Sequence, residues 1–205
     1  MTDLTDRTLI AEEDIRSVAV GTIVHISERA LVTPLAADLA RERHISLERT
    51  PVKAVYGRRQ PRRIAIGADH GGFEMKEALK TVLDELGVEY QDFGTNSTAA
   101  VDYPDFAEAV ALAVARKTCE LGIVIDGAGI GSCMAANKIR GVRAAMCYDE
   151  ASARNSREHN GANVLTLGAK TISNDSMRDI VRVWLSSELT EERHRRRVAK
   201  IDALH

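Results

Sequence analysis

The chain has 205 residues, room for one ordinary domain and a small appendage. Apolar residues make up 44% of it and charged residues 28%, and 28 Lys and Arg against 30 Asp and Glu leave a net charge of −2, so nothing in the bulk calls for a nucleic acid or an anionic membrane as partner. No apolar run approaches the ~20 residues of a bilayer span, the acidic start MTDLTDRTLIAEED lacks the regions of a signal peptide, and Cys119, Cys133 and Cys147 lie far apart, as reduced thiols of a cytoplasmic protein would.

Residues 1–48 read as an accessory segment. They hold short strand-like runs, VAVGTIVHI (18–26) and ALV (30–32), and then a helix, PLAADLARERH, with Thr33 as N-cap and Pro34 at its first position. The segment is too short to bury much core alone, so it is expected to dock on the main domain, a second copy or a partner. Two prolines, five arginines and no periodicity in ERTPVKAVYGRRQPRR (48–63) make residues 49–62 a linker.

From residue 63 strands and helices alternate. RIAIGA (63–68) is a buried strand; GFEMKEALKTVLDELG (72–87) carries Leu79, Val82, Leu83 and Leu86 at helical spacing. Strand VEYQDF (88–93), helix PDFAEAVALAVARKT (104–118), strand LGIVID (121–126) and helix GSCMAANKI (131–139) follow. Strand VRAAMC (142–147), helix EASARNSREH (150–159), strand NVLTLG (163–168) and helices at 174–187 and 191–204 complete the chain. The pattern predicts an α/β domain over 63–205, a five-stranded parallel sheet between two layers of helices.

Several clusters carry chemistry. In DGAGIG, Gly127, Gly129 and Gly131 stand between a strand and a helix, where backbone N–H groups converge on an anion or simply make a tight turn. The dinucleotide pattern G-x-G-x-x-G is not met, because Ser132 stands where the third glycine belongs; Asp149, after the next strand, keeps a nucleotide site open as a competing reading. Asp126 puts a carboxylate at the mouth of this loop, where it would repel a phosphate. Asp69 and His70 follow the first strand, at the sheet edge where open α/β proteins bind ligands; they suit acid–base work, or a cap and a surface histidine. His159 and Asn160 sit at a helix–strand junction that Gly161 could merely terminate. Arg193 and Arg197, four apart on one helix face, fit phosphate oxygens or a solvated basic face. Tyr103 precedes Pro104 at a helix entry, and no spacing argues for a metal.

Taken in order, IAIGADHGGFEMKEALK, VDYPDFA, GAGIGSCMAANKIRGVRAA, SREHNGANVLTLGAK and RHRRRV resemble the ribose-5-phosphate isomerase B and galactose-6-phosphate isomerase family over residues 63–205. The resemblance implies a Rossmann-like α/β/α fold, a homodimer or dimer of dimers, and interconversion of aldose and ketose phosphates without metal or other cofactor. It implies roles as well. Asp69 and His70 serve the sugar ring and phosphate, His159 opens the ring, and Tyr103 and Asn160 belong to the site. Arg193 and Arg197 grip the phosphate, while Gly127, Ala128, Gly129 and Gly131 form the loop that faces an enediolate oxygen. Some of these groups come from the neighbouring subunit.

Two departures stand out. Many members carry Cys-Gly-Thr-Gly with the thiol as base, and this chain has Asp126-Gly127-Ala128-Gly129; another branch has a glutamate base where Ser132 stands. Asp126 is left as the base, the alternative being a family member that binds sugar phosphates without turning them over, and the hydroxyl lost at Ala128 opens the substrate to sugar phosphates other than ribose 5-phosphate. The segment GTIVHISERALVTPLAADLARERHISLE resembles a short module at the ends of enzymes of bacterial microcompartments, which implies a shell or cargo partner for residues 1–48.

Overall fold

The structure, a computed structural model, describes residues 2–4, 7, 9–27, 30–50 and 63–204; residues 51–62, most of the expected linker, lie outside the described residues. The chain divides into two compact units, Met1–Gly57 and Arg58–His205.

In the amino-terminal unit the elements are β1 (Thr2–Leu4), β2 (Leu9–Ile10), α1 (Glu12–Arg16), β3 (Ile23–Ser27), β4 (Leu31–Val32), α2 (Pro34–Glu42) and β5 (Ser46–Thr50). A parallel sheet runs β1-β3-β5, and β2 pairs with β4. Thr33 caps α2 by accepting the Ala36 N–H at 3.2 Å. Contrary to the expectation of too little core, Ile10, Ile15, Val18, Val24, Ile26, Ala36, Ala40 and Ile45 pack into one buried cluster. Strand β5 also runs beyond residue 48, and the expected strand over 18–26 begins only at Ile23, because Gly21 turns the chain at φ 75°.

The second unit contains β6 (Ile64–Ala68), α3 (Phe73–Glu85), β7 (Tyr90–Asp92), α4 (Tyr103–Ala115), β8 (Leu121–Asp126), α5 (Ile130–Ala136), β9 (Ala144–Met146), α6 (Glu150–Glu158), β10 (Val164–Gly168), α7 (Asn174–Ser186) and α8 (Glu192–Asp202). All five strands are parallel, in the order β7-β6-β8-β10-β9. The central three are buried along their whole length. Successive side chains take opposite faces: Ile64, Ile66 and Ala68 pack with Leu79 and Leu83 of α3 and Ile180 and Trp184 of α7, while Ala65 packs with Val110 and Val114 of α4. This is the expected α/β/α sandwich. The strand order reverses between β6 and β8, which opens a crevice at their carboxyl ends. Among the described residues no helix is long and apolar enough to cross a membrane.

One buried charge ties a helix to this edge. Lys76 of α3 is fully buried, and its Nζ lies 2.5 Å from Oδ2 of Asp92, at the end of β7. Lys80 reaches the same oxygen at 2.7 Å, and the Gly94 N–H donates to Oδ1 at 2.8 Å. Burial pushes the Asp92 carboxyl up, but these donors outweigh it and hold the group below its ordinary value.

Candidate active site

Three loops meet at the carboxyl edge. After β6, the Asp69 N–H bonds the Ile125 carbonyl at 3.2 Å, and the buried Asp69 carboxylate accepts the Gly72 N–H at 2.9 Å. Gly72 must be glycine: a Cβ there would lie 2.2 Å from the Ile125 carbonyl oxygen. His70 is exposed, and its Nδ1 lies 3.1 Å from the Val101 carbonyl oxygen. That fixes the loop leading to Tyr103, which opens α4. The Tyr103 ring lies over Gly131, where a Cβ would come within 2.6 Å of it.

Asp126 ends β8 and is 4% exposed. Its Oδ1 accepts the N–H groups of Ala128, at 2.7 Å, and Gly129, and its Oδ2 accepts the Ser132 N–H at 2.9 Å. The glycine loop does hold an anion, and the anion is its own aspartate. Two N–H groups expected near an enediolate oxygen, those of Ala128 and Gly129, are thereby turned onto Asp126 together with that of Ser132, because a carboxylate just before a helix N-terminus meets unbonded amides at close range. Gly129, at φ 79°, makes the turn. The third loop locks this arrangement from β10: Thr166 Oγ1 donates to the Gly129 carbonyl at 2.8 Å, and the N–H groups of Ala169 and Lys170 donate to the carbonyls of Asp126 and Gly127 at 2.8 and 2.9 Å. The Lys170 stem packs along Gly127, so a cation that sequence reasoning missed joins the edge. Its signal was its place, just beyond the end of β10. Ser132 is fully buried and its hydroxyl has no hydrogen-bond partner.

Asp149, the acid that a nucleotide site would need, instead caps α6: it accepts the Ser152 N–H at 2.7 Å, which holds its carboxyl below the ordinary value. Among the described residues no three His, Cys, Asp or Glu side chains converge as metal ligands would.

The remaining expected residues lie at the opposite, amino end of the sheet. His159 and Asn160 end α6 and lead into β10, whose Val164 aligns with Gly122 and whose Gly168 aligns with Asp126. The strand alone separates the two ends by about 13 Å. The exposed His159 ring stacks on His194 of α8 with centroids 4.3 Å apart and planes 14° apart. His194 is buried, and α8 presents Arg193 and Arg197 to solvent on either side of it. Burial, followed by the charges of His159, Arg193 and Arg197, lowers the proton affinity of His194. Behind the stack, Arg157 donates to the carbonyls of Ala162 at 2.6 Å and Ser187 at 3.1 Å, its guanidinium 4.9 Å above the Trp184 ring. Arg143 joins the Gly161 carbonyl, at 2.9 Å, to Asp202 of α8.

One chain therefore brings Asp69, His70, Tyr103, Asp126, Gly127, Ala128, Gly129, Gly131 and Lys170 together at one edge. It brings His159, Asn160, Arg193 and Arg197 together at the other.

Comparison with known proteins gives the family. Residues 64–201 match the model of the ribose/galactose isomerase family. Ribose-5-phosphate isomerase B of Escherichia coli is 43% identical over 143 residues, 70% of this chain and 96% of the relative. A D-erythrulose-4-phosphate isomerase of Pectobacterium atrosepticum is 37% identical over 126 residues, 61% of this chain and 83% of that one. Among solved structures, ribose-5-phosphate isomerase B of Clostridium thermocellum is 47% identical and superposes with a TM-score of 0.68 over 69% of this chain and 96% of the other. The chain belongs to the ribose/galactose isomerase family and is an aldose–ketose isomerase of phosphorylated sugars.

Proposed function

We propose that the chain isomerises a sugar phosphate of four to six carbons in a site shared by two copies, with Asp126 as the base that moves the proton through an enediolate. The carboxyl edge of one copy supplies Asp126, Asp69, His70, Tyr103 and Lys170, and the amino edge of the other supplies His159, Asn160, Arg193 and Arg197. Phosphate sits against the two arginines, facing His70 and Lys170. His159 opens the ring, and Asp69 and Asn160 hold the sugar hydroxyls. The N–H groups not taken by Asp126, those of Gly127, Ile130 and Gly131, meet the growing negative charge on oxygen. Residues 1–48 do no chemistry in this reading and serve a microcompartment shell or cargo partner, as their sequence resemblance suggests.

The observation that carries the reading is the Asp126 carboxylate. A carboxylate has about four acceptor sites; three are filled by loop N–H groups, and one on Oδ2 is left for a proton. Two further features support a second copy. The half-sites lie at opposite sheet ends, and Ile130 and Met134, four apart on α5 and 50% and 65% exposed, leave apolar surface next to Tyr103, itself 40% exposed. The relatives include isomerases named for both five-carbon and four-carbon phosphates, and Ala128 lacks a hydroxyl that would fix the choice.

The test is incubation of the full chain with C4 to C6 aldose and ketose phosphates in deuterated water, beside Asp126→Asn. Deuterium should enter next to the carbonyl carbon with at least one substrate in wild type, and exchange should fall about 10²–10⁴-fold in the variant. Exchange at an undiminished rate in Asp126→Asn removes Asp126 as the base.

A further inference from the structure

We propose that the His159–His194 stack takes up one proton when a phosphoryl dianion binds at Arg193 and Arg197, so that the substrate loads the acid that opens its own ring. The inference rests on the roles given above to His159, Arg193 and Arg197; the coupling between them is new.

The geometry makes the two rings one titrating unit. At 4.3 Å and 14° they lie face to face, and a proton on one disfavours a proton on the other. Charges around the pair are unbalanced. From α8, Arg193 and Arg197 oppose protonation, and Glu191 pulls the other way and is outweighed. From α6, Asn155 Nδ2 lies 3.1 Å from His159 Nδ1 and brings no charge. Glu158 faces Arg154 at 3.9 Å, and the Arg157 guanidinium is turned inward onto Trp184 and two carbonyls. Without ligand, two guanidinium groups stand beside the stack with no anion between them. A bound dianion supplies that counter-charge and removes the main Coulombic objection to a proton. The rings also divide the work. The Nε2 of His194 is buried without a hydrogen-bond partner, a position that resists charge, whereas His159 faces outward. The proton therefore resides on His159, and His194 is the positioning residue that holds its ring.

Sulfate is the probe, because it is a dianion that does not itself titrate near neutral pH. With the full chain carrying ¹³C-labelled histidine, sulfate near pH 7 should move the His159 Cε1 resonance to its protonated position. The heat of binding should vary with the buffer's ionisation enthalpy, reporting uptake of up to about one proton per chain. In His194→Phe, which keeps a flat ring in the stack but cannot itself take a proton, the uptake should persist on His159. Sulfate bound with both rings still neutral and no buffer dependence overturns the coupling and leaves the phosphate site standing. Loss of the uptake in His194→Phe puts the proton on His194 and overturns its assignment to His159. Binding that is absent, or equally strong in Arg193→Ala/Arg197→Ala, overturns the coupling and the phosphate assignment together.

Discussion

The two ends of the isomerase sheet are built from different materials. At the carboxyl end the two carboxylates are buried: Asp126 is 4% exposed and Asp69 8%, and each is tied to amides of its own loop. At the amino end they are exposed side chains at helix ends, His159, Asn160, Arg193 and Arg197, held from behind by the buried His194 and the inward-turned Arg157. A rigid edge of amides can meet a reacting carbon and its oxygen but offers few cations. A cationic edge can hold a dianion but has no dry pocket for proton abstraction. Each end lacks what the other has, which is why two copies make better chemical sense than one.

The sharpest way to break this comparison is to disable one end in each of two copies. Asp126→Asn and His159→Ala should each lower kcat about 10²–10⁴-fold. Co-expressed, half of randomly formed dimers are mixed, and each mixed dimer keeps one intact site of two, so activity should return to about a quarter of wild type. A mixture no more active than its parents would mean that the two ends do not share a site.

Asp92→Asn tests the carboxyl end alone. It leaves the Lys76 ammonium buried beside a neutral amide, which should cost about 3 kcal/mol of stability in a urea titration. The His159 and His194 resonances, at the far end, should stay where they are; if they move with the loss, the two ends are mechanically one. Arg197→Lys tests the amino end. If Arg197 grips the phosphate as proposed, replacing its two-pronged guanidinium by a point charge should raise KM about tenfold while kcat changes little. An equal fall in kcat would place Arg197 in the chemical step.

The parts of this molecule legible in the sequence are those set by local period and by glycine. The three central strands and the DGAGIG turn announced themselves because fully buried strands are short apolar runs and a left-handed residue at Gly129 needs glycine. The orientation of Asp126 was hidden, because it depends on three amides that reach it only after Gly129 has turned the chain. Nothing local in FEMKEALK marks Lys76 as buried; its shortest ion pair is with the long-range partner Asp92. His194 vanished among arginines in RHRRRV, although its spacing of four to Val198 marks the buried stripe of α8. In the amino-terminal unit β1, β2 and β4, of two or three residues each, carry no readable alternation, so its core appears only when they come together with β3, β5 and two helices.

The smallest predicted effect separates the two ends by pH. The single tryptophan, Trp184, belongs to the isomerase unit, so its fluorescence follows the unfolding of that unit. His194 binds protons less readily in the folded chain than the ordinary 6.5 of a free histidine implies, first because it is buried. The unfolded chain therefore takes up more protons as the pH falls, and the urea midpoint should begin to drop near pH 6.5. Asp92 has the opposite history: its folded carboxyl lies below the ordinary 3.8, so its contribution is fully present at higher pH and is lost only as the pH falls through and below that value. Two separate losses should appear on acidification, the first from the amino end and the second from the carboxyl end. His194→Phe should flatten the first and leave the second, and Asp92→Asn should do the reverse. If His194→Phe keeps the loss near pH 6.5, the titrating group lies elsewhere and the buried ring of the stack is not what sets it.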